Sequence, residues 1–145
     1  MVRTAEASWE GSVARGQGTI VARSSGAFAL PYSLATRIGS PEGKTSPEEL
    51  VAAAHAGCFA MSLASELTQL GHPPERLEVE ATCVMDEVEG RGHLVVSSEL
   101  QARARVPGLA EEAFRRAVER ADAGCALSSL IRGSAQVKVE ASLEA

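Results

Sequence analysis

The chain has 145 residues, and 19 acidic against 14 basic side chains give it a net charge of −5. A chain of this length buries a core without disulfide or metal support, so a single domain over residues 1–145 is expected. The basic residues are scattered along the chain, which argues against nucleic acid or an anionic membrane surface as a partner.

The N-terminal segment is predicted to be extended. Alanine and tryptophan alternate with polar residues between Ala5 and Glu10, which predicts a strand. The sequences Gly-Gln-Gly at 16–18 and Ser-Ser-Gly at 24–26 predict hairpin turns. The first ten residues are charged and lack the apolar stretch of a signal peptide, so a cytoplasmic protein is expected. In that compartment three cysteines do not indicate a disulfide framework.

A long helix is predicted to begin after Ser46. Ser46 is a typical N-cap, Pro47 suits the first helical position, and Glu49 completes a capping box. Residues 50–65 contain no charged side chain, and Gly71 is placed to end the helix. A helix that is apolar or small on all sides is either a core helix or a membrane span. The uncharged run is shorter than a membrane span requires, and it contains many small residues such as alanine, glycine and serine. We therefore expect a core helix.

The C-terminal half is predicted to form a hairpin, a helix and a final strand. Alternating patterns at 77–86 and 93–106 flank a Gly-Arg-Gly turn, which predicts two antiparallel strands. An amphipathic helix follows Pro107-Gly108 and ends at Gly124, and a strand is predicted at 135–143. This order predicts an α+β fold with mainly antiparallel pairing.

The long helix also predicts self-association. One sheet covers only one face of such a helix, and small side chains on the other face let a second helix approach closely. Those positions are Ala54, Gly57, Ala60 and Ala64. A homodimer is therefore expected.

The three cysteines have different predicted surroundings. Cys83 points into the core by strand alternation, where free cysteine is a common apolar filler. Cys58 lies within the long helix, and taken alone it is also interpreted as a small apolar side chain that fills the core. Cys125 follows a helix end, where backbone amides favour a thiolate. His55 and Cys58 are three residues apart, but no third or fourth ligand has a recognisable zinc spacing, so no metal site is expected.

Four sequence blocks resemble the OsmC/Ohr family, the osmotically inducible protein C and organic hydroperoxide resistance proteins. They occur in the family's order over almost the whole chain. The blocks are Pro31-Tyr32-Ser33 with Thr36-Arg37, Thr45-Ser46-Pro47-Glu48-Glu49-Leu50, Ala53-Ala54-His55-Ala56-Gly57-Cys58-Phe59, and Ala123-Gly124-Cys125. The arginine after the Tyr-Ser pair resembles the OsmC branch.

The resemblance implies a thiol peroxidase that uses neither a metal nor another cofactor. Cys58 matches the family's peroxidatic cysteine, which becomes a sulfenic acid, and Cys125 matches the resolving cysteine, which closes a disulfide with it. Arg37 and Glu48 match the polar pair beside the reactive sulfur. The expected substrates are organic hydroperoxides, with hydrogen peroxide used less well, and the expected reductant is a small dithiol of the lipoyl type.

The resemblance also implies the architecture. The family's α+β fold has antiparallel sheets wrapped around long central helices in an intertwined homodimer, with the active sites at the subunit interface. An apolar pocket is expected near Cys58, with Phe59, Met61 or Tyr32 as candidate neighbours.

Two other functions remain open at this point. One is a binding module for an acyl chain or another small molecule, in which Cys58 is merely packed. The other is a thiol redox sensor that uses the same cysteines to change partners. The absence of a DNA-binding motif from the sequence argues against a transcriptional regulator.

Overall fold

The computed structural model describes residues 1–144, and the chain divides into two compact units. The N-terminal unit comprises Met1–Leu50, and the C-terminal unit begins at Val51. Their boundary falls within one long helix.

The N-terminal unit contains a three-stranded antiparallel sheet. Its strands are β1 (Ala5–Glu10), β2 (Gln17–Ala22) and β3 (Ala29–Tyr32), in that order across the sheet. A short helix, α1 (Leu34–Ile38), follows, and its N-terminus is capped by the Ser33 hydroxyl, which accepts a hydrogen bond from the Thr36 amide.

The turn predicted at 16–18 is misplaced, because β2 already begins at Gln17. Gly18 lies within the strand for a steric reason. A Cβ at this position would lie 2.2 Å from the Ser8 carbonyl oxygen and 2.6 Å from the Tyr32 ring. The glycine therefore marks a close approach of neighbouring chain segments rather than a turn. The turn predicted at 24–26 follows β2 as expected.

The long helix α2 (Pro47–Gln69) has the predicted ends. The Ser46 hydroxyl accepts a hydrogen bond from the Glu49 amide at 3.1 Å. The Glu49 carboxylate accepts one from the Thr45 hydroxyl at 2.7 Å, which holds the first turn to the preceding segment. At the other end Gly71 has a φ of 80°, a conformation that glycine adopts without strain.

Within the single chain, α2 is buried along one face only. Its buried side chains are His55, Phe59, Leu63 and Leu67. By length and composition α2 is also apolar enough to cross a membrane, a property that core helices of soluble proteins share. The opposite face, which includes Gly57 and Met61, is exposed. The face that is predicted to pack against a second helix is therefore open in the single chain.

The C-terminal sheet contains β4 (Arg76–Val88), β5 (Gly92–Arg105) and β6 (Gln136–Glu144), with β5 in the centre. The β4–β5 hairpin is antiparallel as predicted, whereas β5 and β6 are parallel. This exception to the predicted antiparallel pairing has a simple cause: α3 (Glu111–Gly124) and α4 (Ala126–Arg132) form the crossover that a parallel connection requires.

The core of the C-terminal unit lies between α2, α3 and the central strand. Phe59 and Leu63 of α2 belong to one buried cluster with Leu100 of β5 and Phe114 of α3. Alternation buries the predicted side of β5 from Leu100 onward but not in the first half of the strand. The helical period of α3 buries Phe114 together with Ala117. This core fixes the part of α2 that carries Cys58.

Candidate functional site

Cys58 and Cys125, which are 67 positions apart in sequence, meet in the structure. Cys58 lies in the middle of α2, and Cys125 lies at the break between α3 and α4. Their sulfur atoms are 3.3 Å apart, and both thiols are free. The break exists because Cys125 has extended backbone angles, ending α3 and serving as the N-cap of α4. The two-cysteine hypothesis requires this proximity.

The two thiols differ in accessibility. Cys58 is half-buried, whereas Cys125 has no exposed surface. Burial alone would raise the pKa of the Cys125 thiol, but hydrogen bonding with Ser128, with Cys58 and with the Leu127 backbone outweighs it, so the pKa lies below its usual value. A peroxide can therefore approach Cys58 directly, while Cys125 is shielded but prepared to carry negative charge.

His55 is fully buried one helical turn before Cys58. Its Nδ1 lies 2.7 Å from the Ser98 hydroxyl of β5, and its Nε2 lies 2.8 Å from the Ser128 hydroxyl of α4. Both ring nitrogens are thus engaged by serines, which leaves no lone pair for a metal. Among residues 1–144, no three histidine, cysteine or acidic side chains cluster as a metal-ligand set.

Arg37 and Glu48 form an ion pair in the N-terminal unit. Arg37 Nη2 donates to Glu48 Oε1 at 2.6 Å, and Arg37 Nε lies 3.1 Å from Oε2. The hydrogen bond that the guanidinium donates to Glu48 raises the pKa of Arg37. Burial would raise the pKa of Glu48, yet the hydrogen bonds from Arg37 and from its own backbone hold that pKa below the usual value. The geometry fixes the plane of the guanidinium, as a bidentate pair does.

A mainly apolar cavity of about 410 Å³ lies next to Arg37 in the same unit. Its lining residues are Trp9, Gly11, Val13, Tyr32, Ser33, Leu34 and Arg37. The Trp9 and Tyr32 rings form one wall, with centroids 5.4 Å apart. A concave apolar surface with one charged group at its edge suits a ligand that has a carbon tail and a polar head.

The three candidate neighbours of the pocket predicted near Cys58 lie in three different surroundings. Of the three candidates, Tyr32 lines the cavity. Phe59 is fully buried in the C-terminal core, and Met61 is 77% exposed on the open face of α2. Helical periodicity could have indicated this, because Phe59, Leu63 and Leu67 recur every four residues on one face. Trp9 and Leu34 were missed, since neither strand alternation nor a motif distinguishes a cavity wall from a core position.

The predicted site residues therefore occur as two pairs. Cys58 and Cys125 lie together in the C-terminal unit, and Arg37 and Glu48 lie together in the N-terminal unit.

Residues 39–140 match the model of the family described as OsmC-like protein. The chain is 35% identical over 127 residues to peroxiredoxin OsmC of Escherichia coli strain K12, covering 88% of this chain and 87% of that protein. The chain belongs to the OsmC-like family. Glu48, Cys58 and Cys125 all lie in the matched segment, and Arg37 lies two residues before it.

Solved structures show the same OsmC-like fold. An OsmC-like protein from Mycoplasma pneumoniae superposes with a TM-score of 0.80 at 11% identity, covering 100% of this chain and 99% of that one. The organic hydroperoxide resistance protein OsmC from Legionella pneumophila gives a TM-score of 0.73 at 23% identity, with 96% of each chain covered. At these identities the likeness concerns the fold alone. It confirms the predicted α+β OsmC-like architecture.

Proposed function

We propose that the protein is a cytoplasmic thiol peroxidase that reduces organic hydroperoxides to alcohols. The observation that carries the proposal is the pair of free thiols 3.3 Å apart, one accessible and one buried. Membership of a family that includes a protein named peroxiredoxin supports it.

The proposed reaction has three balanced steps. The Cys58 thiolate attacks one peroxide oxygen, the O–O bond breaks, and the alkoxide takes up a proton and leaves as an alcohol. Cys125 then attacks the sulfur of the Cys58 sulfenic acid, which forms the disulfide and releases water. A small dithiol, of the lipoyl type by family resemblance, finally exchanges with the disulfide and restores both thiols.

In this proposal Arg37, held by Glu48, supplies the positive charge for the first step. A guanidinium stabilises negative charge that develops on the departing oxygen, and it does so best when its orientation is already fixed. The bidentate geometry of the pair supports such a fixed orientation. The apolar cavity next to Arg37 supports an alkyl or aryl hydroperoxide as the substrate.

A homodimer is part of the same proposal. The open face of α2 exposes Met61, and within residues 1–144 an added Cβ at Gly57 would meet nothing within 4 Å beyond its own stretch of helix. Such an apolar face with small residues suits packing against a second copy, as the family resemblance implies.

The decisive experiment follows one turnover of the reduced protein with one equivalent of cumene hydroperoxide. Dimedone trapping and mass spectrometry should locate a transient sulfenic acid on Cys58, followed by a Cys58–Cys125 disulfide. Cys58→Ser should abolish peroxide consumption, whereas Cys125→Ser should allow one oxidation and then accumulate sulfenic acid. First labelling of Cys125 in the parent protein would reverse the roles.

The same experiment separates the two alternative functions. A binding module predicts slow oxidation and no disulfide, although the cavity would still take an acyl chain. A redox sensor predicts one oxidation without steady turnover when a dithiol is supplied in excess.

A further inference from the structure

The side chain of His55 joins α2 to α4 beside the thiol pair. His55 lies three residues before Cys58, and Ser128 lies three residues after Cys125. The imidazole Nε2 lies 2.8 Å from the Ser128 hydroxyl, and Nδ1 lies 2.7 Å from the Ser98 hydroxyl of β5. All three side chains are fully buried. Because both ring nitrogens are bound, the ring has a fixed orientation and holds Ser128 at a fixed distance from α2.

A second hydrogen bond joins α2 to α3 on the other side of the thiol pair. Ser62 lies four residues after Cys58, and Ala121 lies four residues before Cys125. The Ser62 hydroxyl donates to the Ala121 carbonyl oxygen at 2.8 Å. This carbonyl lacks its helical partner, because the Cys125 amide donates to the carbonyl of Asp122 instead. A buried carbonyl at a helix end requires a partner from elsewhere, and α2 supplies it.

The short helix α4 does not fix the break between α3 and α4 by itself. It has seven residues, and helices of this length are not stable without tertiary contacts. The ion pair between Arg132 and Asp122 ties its last turn to α3, not to the helix that carries Cys58. Ser128, which the imidazole holds, also donates its amide to Cys125 Sγ at 3.4 Å. The two hydrogen bonds from α2 thus act on the break itself and set the position of Cys125 relative to Cys58.

We propose that His55 and Ser62 are positioning residues that hold Cys125 at bonding distance from Cys58 in the reduced protein. This proposal rests on the proposed peroxidase function. Each of the two residues acts through the segment that carries the resolving thiol. Such positioning lowers the entropy that disulfide formation has to remove. Fast disulfide formation also consumes the sulfenic acid before a second peroxide molecule, itself reduced to alcohol, converts it to sulfinic acid.

Two substitutions of His55 separate its two hydrogen bonds. An asparagine amide reaches the position of Nδ1, and a glutamine amide reaches the position of Nε2; either amide can donate or accept. His55→Asn should therefore keep the bond to Ser98 and lose the bond to Ser128, whereas His55→Gln should keep the bond to Ser128. Loss of one hydrogen bond corresponds to about a fivefold effect. Disulfide formation should slow about fivefold in His55→Asn and stay near the parental rate in His55→Gln.

Ser62→Ala removes the second hydrogen bond and should slow disulfide formation by a similar factor. Ser129→Ala is the matched control, since it removes an exposed hydroxyl from α4. Single-turnover mixing with one equivalent of cumene hydroperoxide gives the rates of both steps, and sulfenic acid formation on Cys58 should be parental in every variant. Excess peroxide should produce more sulfinic acid in His55→Asn and Ser62→Ala than in the parent protein.

Three outcomes of these kinetics would overturn the proposal. The first is a parental rate of disulfide formation in both folded variants, His55→Asn and Ser62→Ala. The second is equal slowing of both steps, which would indicate a general distortion of the site. The third is the same rate of disulfide formation in His55→Asn and His55→Gln, since the bond to Ser128 would then not matter.

A second measurement needs no peroxide. In a Cys83→Ala background, the folded protein is equilibrated with mixtures of reduced and oxidised dithiothreitol, and mass spectrometry gives the fraction that carries the Cys58–Cys125 disulfide. Without a bond from α2 the reduced form gains freedom that the disulfide removes, so the equilibrium constant for disulfide formation should fall about fivefold in His55→Asn and in Ser62→Ala. A merely structural role would lower the unfolding temperature and leave this constant parental, which would overturn the proposal. Absence of any sulfenic acid in the parent protein would instead refute the proposed function, so the two failures are distinguishable.

Discussion

Replacing Leu34 by asparagine tests whether the cavity next to Arg37 receives the carbon tail of the substrate. The cavity of about 410 Å³ is about fourteen times the roughly 30 Å³ that one water occupies in the liquid. A tail of several carbon atoms therefore fits. Leu34 lies at the start of α1 and forms part of the wall, so a polar side chain there should weaken the burial of a tail.

The expected gain in kcat/KM follows from the number of substrate methylenes that the cavity buries. Each buried methylene contributes about 0.8 kcal/mol, which is about a fourfold change in kcat/KM. Four methylenes give about 3 kcal/mol, or roughly 200-fold, over hydrogen peroxide, which has no carbon to bury. This value is an upper estimate, since part of the tail stays in contact with water at the mouth of the cavity.

The assay compares hydrogen peroxide with linear alkyl hydroperoxides from ethyl to hexyl at saturating dithiol. In the parent protein kcat/KM should rise with each methylene of the substrate until the cavity is full. Leu34→Asn should reduce this increase per methylene and leave kcat/KM for hydrogen peroxide unchanged. Ile38→Asn is the matched control, because Ile38 belongs to the same helix, is 70% exposed and is not a cavity residue. Equal efficiency for all peroxides, or an unchanged slope in Leu34→Asn, would refute the reasoning.

Four further predictions concern the third thiol, the ion pair and the dimer. Cys83→Ala should retain peroxide turnover and lower the free energy of unfolding by about 1 kcal/mol. Loss of turnover in the folded variant would show that Cys83 takes part in the reaction. Arg37→Lys keeps the positive charge but loses the planar guanidinium, and Glu48→Gln loosens the guanidinium. Both variants should therefore slow sulfenic acid formation in single-turnover experiments. A parental rate in both would exclude a role of Arg37 in the first step. Because the pKa of Glu48 is lowered in the folded state, its ionised form stabilises the protein above the unfolded value of 4.5, and the stability difference between parent and Glu48→Gln should vanish as the pH falls through the folded pKa. Gly57→Leu should leave the monomer folded and weaken the dimer in light scattering, whereas Gly57→Ala should keep it; an intact dimer in both would place the interface elsewhere.

The elements themselves were predictable because local signals agree with one another. Ser46, Pro47 and Gly71 mark the ends of α2 in the sequence, and the helix runs from Pro47 to Gln69. Alternation in β5 is regular from Ser98 to Arg105, so the buried side of that half of the strand is clear. The parallel pairing of β6 was harder to predict from the sequence, because alternation indicates which face of a strand is buried but not the direction of the neighbouring strand.

The surroundings of the thiols depend on contacts between distant segments, which a pattern of residues does not encode. Spacing alone could not judge whether Cys58 and Cys125 meet, and only the family resemblance brought them together. The spacing of His55 and Cys58 allows a shared metal, yet serines from β5 and α4 occupy both nitrogens of the histidine. A buried histidine flanked by alanines indicates a polar partner in the core, but the sequence does not show which of the serines it is.

The different roles proposed for the two thiols follow from access and hydrogen bonding together. Hydrogen bonds prepare Cys125 for negative charge, and full burial keeps peroxide away from it. If both sulfurs were equally accessible, both would be oxidised to sulfenic acid and no reduced thiol would remain to close the disulfide. Bond formation shortens the 3.3 Å sulfur separation to about 2.05 Å. Because this movement is small, Cys125 is able to reach Cys58 without leaving the position at which it caps α4, and the buried thiol needs no unfolding to act.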